Sequence, residues 1–533
     1  MPRAYRFREA ACAQVGAVLD AAARAETARG ALLITHDPDA AVEVAREVAR
    51  VHGTALQVMS MAARHVLRPG AVSLEPAAGP AVDPLDVLRA AHDTQGPALI
   101  VMRDMLRFLG DSHGDPRARA YLLQMLFSDN RRSHVYAFAE PSEGEVNIPS
   151  FARALLTRVV VPLPRGAELL LLAREELAIA AARHGRSLTG EALAQWAMRL
   201  AAELPGLTHG AARFAIQDVL SHEFESDRAV QGLAACRAAH LQTQLAMQVM
   251  RPTSEAPVGM DYFYRWVHIY RHLMCVPGPD RVKGAILVGP PGTGKTRLGA
   301  YTAHLVGGLP AIWFRFGALL NMYVGSSEAA AERAFSVLDS LGGGGGADGT
   351  HERGAVIILD EIEKTVNRGD NDGGVSMRVT ARMLTWMSES TAPNMILATA
   401  NDLQHMGDLA DILSRRGRLD RIFFVDVPNT VARGYLFARL LGRVAPEAGF
   451  DVDALGEETA RFTGADIEGL VRDASAEAQA SSELLAMKHV LREIQRSRRR
   501  VHAQYERFGR LREWAVLNAE PAGPSDTTVE GTI

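Results

Sequence analysis

The run Gly289-Pro290-Pro291-Gly292-Thr293-Gly294-Lys295-Thr296 constrains this chain more than any other stretch. It satisfies the pattern G-x-x-x-x-G-K-[ST] and lies between an apolar run, Ala285 to Val288, and a helical pattern, Lys295 to Val306. A glycine-rich loop between a buried strand and a helix lets backbone N–H groups converge on phosphate oxygens, and the helix N-terminus adds a favourable dipole. In that frame the Lys295 ammonium neutralises β- and γ-phosphates, the Thr296 hydroxyl ligates Mg2+, and Arg297 follows beside the bound nucleotide.

The surrounding residues repeat the same rhythm. Apolar runs at Ala311 to Phe316, Val356 to Leu359, Met395 to Thr399 and Ile422 to Val425 alternate with helical patterns at Ser327 to Ser340 and Val375 to Ser388. Together with Ala285 to Val288 they predict an α/β core, a parallel five-stranded sheet with flanking helices. Val356 to Leu359 ends in Asp360-Glu361, at the sheet edge where open α/β folds bind ligands. Asp360 is placed to hold a Mg2+ shell, and Glu361 to orient and deprotonate an attacking water. An Asp-Glu pair after a strand is ordinarily a solvated turn; a matching phosphate loop upstream gives this one a task. Met395 to Thr399 leads to Asn401, whose amide is placed to bond both that water and the γ-phosphate. In Arg415-Arg416-Gly417-Arg418-Leu419-Asp420-Arg421, Arg418 and Arg421 are candidates to meet transition-state charge in a second subunit's site. The ordinary alternative for such a run is a solvated face.

The block from Gly289 to Ala480 resembles an AAA-family (AAA+) ATPase domain. That resemblance implies ATP and Mg2+ as ligands and Arg418 and Arg421 as arginine fingers. It implies that Gly464 and Ala465, in Thr463-Gly464-Ala465-Asp466, open the helix that completes the pocket from a C-terminal helical lid. It also implies a homo-oligomer, a hexamer, in which Tyr323 of Met322-Tyr323-Val324-Gly325 grips a polypeptide in the pore; core packing is the alternative for Tyr323. A narrower likeness extends over nearly the whole chain. Asp360-Glu361-Ile362-Glu363-Lys364, Leu384-Thr385-Trp386-Met387, Ala398-Thr399-Ala400-Asn401 and Ile422-Phe423-Phe424-Val425-Asp426 resemble the "hypothetical chloroplast reading frame" AAA ATPases of plastids and cyanobacteria and their bacterial relatives. Such proteins carry a front domain like a degenerate ATPase module and a C-terminal helix near Leu511-Arg512-Glu513-Trp514-Ala515. Pro290 and Arg421 depart from that group toward the wider AAA family.

The front half has the same alternation without the chemistry. Ala31 to Thr35, Ala98 to Met102, Val135 to Ala139 and Val159 to Val161 read as strands, followed by a mostly helical stretch from Glu168 to Met250. The first strand runs into His36-Asp37-Pro38-Asp39, with no glycine loop and no Lys-Thr, and the second ends in Arg103-Asp104 rather than an acidic pair. Leu207-Thr208-His209-Gly210-Ala211 opens a helical run much as Phe462-Thr463-Gly464-Ala465 does. Internal duplication, with a first copy unable to hydrolyse ATP, and chance similarity of two α/β domains both fit. The expected organisation is a degenerate AAA-like, nucleotide-binding-like α/β domain over 1–167, a helical segment over 168–250, the AAA+ large subdomain over 251–430, and its helical small subdomain with C-terminal helices over 431–519. The tail, 520–533, lacks apolar periodicity and reads as disordered. Gly342 to Gly346 reads as a surface excursion.

Composition excludes more than it selects. With 47% hydrophobic and 23% charged residues the chain can bury real cores, and its 533 residues suit several domains. A net charge of −4 gives no global reason to seek nucleic acid or anionic lipid, and Arg496-Ser497-Arg498-Arg499-Arg500 reads as a charged helix face. Cys12, Cys236 and Cys275 form no CxxC pair, which suits a reducing compartment. No apolar run reaches the roughly 18 to 20 residues of a membrane span, so a cytoplasmic protein is expected. The histidines form no H-E-x-x-H, and no G-x-S-x-G is present. The expected function is Mg2+-dependent ATP hydrolysis by an oligomer, coupled to remodelling of a protein partner. The alternatives are a nucleotide-gated scaffold without threading and a nucleic-acid-dependent ATPase.

Overall fold

A computed structural model describes the chain except for residues 1–8, 26–27, 36, 71–73, 82, 110–113, 128–132, 141–154, 277, 279–280, 316, 318–326, 342–343, 346–351, 364–374, 402–417, 448 and 527–533. By Cα proximity the chain divides into two units, Met1–Arg237 with Glu332–Ser340, and Ala238–Ala331 with Leu341–Ile533.

The first unit is built on a seven-stranded sheet of β1 (Arg29–Ile34), β2 (Ala55–Met59), β3 (Arg64–Leu67), β4 (Glu75–Ala78), β5 (Ala98–Arg103), β6 (Val135–Glu140) and β7 (Leu156–Val160), in the order β4-β3-β2-β5-β6-β1-β7. From β2 to β7 neighbouring strands pair in parallel, while β3 and β4 add antiparallel strands at one edge. The central strands read as unbroken apolar runs because helices cover both faces. Leu33, Leu56 and Val101 pack on one face with the helices Glu9–Ala25 and Pro38–His52. Leu32, Ile100 and Phe138 pack on the other with Pro84–His92 and Pro116–Phe127, the period-two alternation of a strand. The helices Gly166–Arg183, Gly190–Ala201, His209–His222 and Ser226–Leu245 follow, and Leu172, Leu200, Ile216 and Leu233 share one core.

The helical pattern expected up to Met250 stops at Leu245, because Ala246 adopts φ 53 and the chain turns into strand β8 (Met247–Met250). This strand pairs antiparallel with β10 (Ala311–Phe314), at the edge of the second unit's sheet. Between and beyond them run β9 (Gly284–Val288), β13 (Val356–Leu359), β14 (Met395–Ala400), β15 (Arg421–Phe424) and β16 (Glu520–Pro521), giving the order β16-β15-β9-β14-β13-β10-β8. The five expected parallel strands are all present, and two further strands extend them to a seven-stranded sheet. In chain order the parallel set lies fifth, first, fourth, third, second, and the parallel strands of the first unit lie in the same order. The glycine-rich run contributes β11 (Gly344–Gly345), paired antiparallel with β12 (Glu352–Arg353).

Beyond β15 the helices Thr430–Val444, Val452–Glu458, Gly464–Ala480 and Met487–Arg507 enclose Phe437, Leu441, Phe462, Leu470 and Val490. Full burial of each such side chain stabilises this lid by roughly 1.5–3 kcal/mol. The next helix, Gly509–Asn518, carries Arg512, which forks onto Asp426 at 2.9–3.1 Å and lies 3.5 Å over the Tyr505 ring.

The start of the tail is ordered, contrary to the sequence expectation. Glu520 and Pro521 pair with Phe423 and Phe424, and Asp526 accepts hydrogen bonds from Thr430 N at 2.7 Å and Arg433 Nη1 at 2.8 Å. Arg433 is only 1% exposed, so its charge needs a carboxylate and the tail supplies one. Gly523 passes so close that a Cβ there would fall 2.1 Å from the Gly259 carbonyl oxygen. Local periodicity could not reveal an order imposed from outside the segment. Among the described residues no helix is long and apolar enough to cross a membrane.

Candidate nucleotide site

The loop 289–294 follows β9 and opens the helix Lys295–Leu305. A Cβ on Gly289 would lie 2.0 Å from the Val425 carbonyl oxygen, and Gly292 and Gly294 have φ of 82° and 93°, where only glycine sits without strain. Thr293 Oγ1 donates to the Pro290 carbonyl at 2.9 Å and braces the turn. Gly294 caps the helix without any side-chain hydrogen bond, so the first N–H groups of the helix are left for another acceptor.

Lys295 is buried, and its ammonium donates to Gly289 O at 2.6 Å, Pro290 O at 2.8 Å and Asn401 Oδ1 at 3.1 Å. Burial pushes its pKa down to about 8 against the opposing pull of Glu363, Asp360 and Glu361. Thr296 Oγ1 donates to Asp360 Oδ1 at 3.2 Å. Glu361 takes φ 53, a costly conformation for a side-chain-bearing residue, and its N–H is tied to Thr399 Oγ1 at 3.0 Å. Thus Lys295, Thr296, Asp360, Glu361 and Asn401 gather at the C-terminal ends of the adjacent strands β9, β14 and β13.

The sequence did not single out the residues that hold this set. Thr399 Oγ1 donates to Asp360 Oδ1 at 2.5 Å, Trp313 Nε1 donates to Asp360 Oδ2 at 2.9 Å, and Glu363 Oε1 accepts from Asn401 Nδ2 at 2.9 Å. The one local signal was a threonine inside an otherwise apolar buried strand.

The lid reaches the same loop. Ala465 N donates to the Gly292 carbonyl at 3.1 Å, and Gly464 lies against the same oxygen. The helix there is held by a reciprocal cap, with Asp466 N donating to Thr463 Oγ1 at 3.2 Å and Thr463 N to Asp466 Oδ2 at 3.1 Å. Arg297, expected at the nucleotide, follows Thr296 on the helix that the loop opens and pairs with Glu468 of the lid helix.

Other expected residues lie elsewhere. Arg421 opens β15 opposite Ala285, at the far end of the sheet from Gly289, and pairs with Glu520. Arg418 Nε donates to Ser388 Oγ at 3.0 Å. Neither arginine is brought to Lys295 of its own chain. Tyr323 lies outside the described residues. Arg496, Arg498 and Arg500 face Glu493, Glu458 and Asp466, as a charged helix face requires.

The donor set fits magnesium. The Thr296 hydroxyl and the Asp360 carboxylate are hard oxygen ligands already in contact. Among the described residues no group of three or more His, Cys, Asp and Glu side chains could hold a metal ion, so Mg2+ here would take the rest of its shell from phosphate and water.

Fold and site together define a P-loop nucleotide-binding sheet of the AAA type, with a helical lid on the phosphate loop. Residues 285–427 match the family model "ATPase family associated with various cellular activities (AAA)", and this part of the chain is an AAA-family domain. The chain is similar to "Uncharacterized AAA domain-containing protein ycf46" of Guillardia theta, 28% identical over 237 residues, covering 44% of this chain and 44% of that protein. The protein of the same name from Pyropia yezoensis is 32% identical over 200 residues, 36% of each chain. "Nuclear valosin-containing protein-like" of Mus musculus is 33% identical over 202 residues, 36% of this chain and 22% of that one. The chain thus spans less than half the length of these relatives.

Proposed function

We propose that the chain is a Mg2+-dependent ATPase that assembles as a homo-oligomer, a hexamer, and couples ATP hydrolysis to remodelling of a protein partner in the cytoplasm. The observation that carries this is the gathering of Lys295, Thr296, Asp360 and Asn401 around an uncapped helix N-terminus, with Glu361 next in the chain. The residues of the loop, Gly289 to Thr296, and of the lid, Gly464 and Ala465, hold the nucleotide. Thr296 and Asp360 hold Mg2+, which when bound neutralises charge on the phosphates. Lys295 exchanges its two loop carbonyls for phosphate oxygens. Glu361 orients the attacking water and takes its proton, and Asn401 reports the γ-phosphate. Arg418, and Arg421 once released from Glu520, act on the site of an adjoining subunit, which is why oligomerisation is part of the function. Tyr323 is the partner-gripping aromatic.

Two chains, Lys295→Ala and Arg418→Ala, are each expected to be inactive alone. Mixed, they can assemble interfaces that combine an intact Lys295 with an intact Arg418, and ATPase activity should return. No recovery on mixing, with both chains folded, would remove the shared site. Glu361→Gln should retain MgATP without turnover, and capture with this variant identifies the partner. Capture that needs ATP, together with full partner function in Glu361→Gln, would instead favour a nucleotide-gated scaffold.

A further inference from the structure

Glu363 is a carboxylate that the scheme above leaves without a task. It is 9% exposed, its Oε1 accepts from Asn401 Nδ2 at 2.9 Å and from Asn401 N at 3.2 Å, and its Oε2 is buried with no hydrogen-bond partner among the described residues. Burial pushes its carboxyl above the usual carboxylate range, and the bonds from Asn401 work against that rise. A buried carboxylate with an oxygen that no described side chain or backbone group satisfies is a poor choice for stability, and such groups concentrate where chemistry is done.

The far end of the Asn401 amide accepts from the Lys295 ammonium at 3.1 Å. An amide with a cation at its oxygen and an anion at its nitrogen has one acceptable orientation. Turned over, its oxygen would face a carboxylate that can only accept, and its NH2 would face an ammonium that can only donate. The ammonium has three N–H groups, committed here to Gly289 O, Pro290 O and Asn401 Oδ1. An arriving triphosphate can replace the two carbonyls while the Asn401 bond stays, provided the amide keeps its orientation. We infer that Glu363 is a positioning residue of the hydrolysis site: by anchoring the Asn401 amide it holds the Lys295 ammonium in register with the phosphate loop. This rests on the function proposed above.

The test is Glu363→Gln in the full chain, read by three measurements: steady-state ATPase, MgATP affinity by equilibrium titration, and melting temperature. A glutamine can turn oxygen or NH2 toward Asn401, so the charged anchor on the amide NH2 is lost and only the Lys295 contact still selects its orientation. We expect kcat to fall by about tenfold or more, the value of one charge-assisted contact in a transition state. Affinity should change by less than about threefold, since the loop and helix N-terminus are untouched. Melting temperature should hold or rise, because a buried charge has been removed. A kcat within about threefold of wild type overturns the assignment. So does a loss of kcat accompanied by weakened nucleotide binding or a lower melting temperature, the signature of a structural role. A folded wild-type chain without ATPase activity removes the proposed function first, and this inference with it.

Discussion

In both units the first parallel strand hands over to a helix, and there the two part ways. In the second unit residues 289–294 make the turn, and Ala465 N, at the head of a helix capped by Thr463, donates to the Gly292 carbonyl. In the first unit β1 ends at Ile34 and the helix already begins at Pro38, with Asp37 as its N-cap. Its side chain accepts from Ala40 N at 3.3 Å and from His209 N, at the head of a helix capped by Thr208. The helix that follows opens with Pro38 and Asp39 where the second unit has Lys295 and Thr296. At the third parallel strand, Arg103 pairs with Asp39 at 3.1 Å, while in the second unit Asp360 accepts from Thr296 at 3.2 Å. Both Arg103 and Asp360 precede a left-handed residue, Asp104 at φ 57 and Glu361 at φ 53. Strand order and backbone geometry coincide, and the charges are exchanged. A carboxylate caps the helices where the second unit leaves N–H groups for phosphate, and a guanidinium meets a carboxylate where the second unit has a hydroxyl and a carboxylate for a metal. The two units share strand order and strand-end geometry, and the first satisfies its own junction with its own charges.

That contrast can be broken most sharply at Lys295. Lys295→Ala should lower ATPase activity by roughly a hundredfold or more and remove nucleotide binding from the whole chain. Stoichiometric ATP binding by this variant would place a second nucleotide site in the first unit and end the contrast. Next is Asp37→Ala. Asp37 is 2% exposed and caps two helices, so its loss should destabilise the first unit by about 1–3 kcal/mol in denaturant unfolding while MgATP affinity stays unchanged. An unaltered unfolding curve would show that the carboxylate holds nothing. In the second unit, Gly292→Ala forces a side chain into φ 82 and sets its Cβ 3.0 Å from that of Ala465. The expected cost is about 1–2 kcal/mol, seen as weakened nucleotide affinity by calorimetry. The smallest effect belongs to Arg103→Ala. The side chains of its pair with Asp39 are 32% and 51% exposed, so the loss should stay below about 1 kcal/mol and shrink with added salt when melting is compared at two ionic strengths.

The phosphate loop, the five parallel strands and Asp360-Glu361 were legible because each depends on local rules: glycine where φ is positive, apolar runs for strands covered on both faces, carboxylates at a strand end. The strands Met247–Met250 and Glu520–Pro521 were not. Both are short edge strands whose pairing partner, rather than their own pattern, makes them extended. Thr399, Trp313 and Glu363 were missed for a related reason, since a hydrogen bond to Asp360 or Asn401 leaves no trace in local spacing.

By itself the sequence determined that a phosphate-binding turn exists and which side chains stand at its strand ends, because backbone conformation and burial act over a few residues. Only the tertiary structure decided which charges meet: Asp37 with the head of a distant helix, Arg421 with Glu520, Lys295 with Asn401 and, through it, Glu363. Those contacts are set by where the strands lie in the sheet, and strand order is a property of the whole packed core.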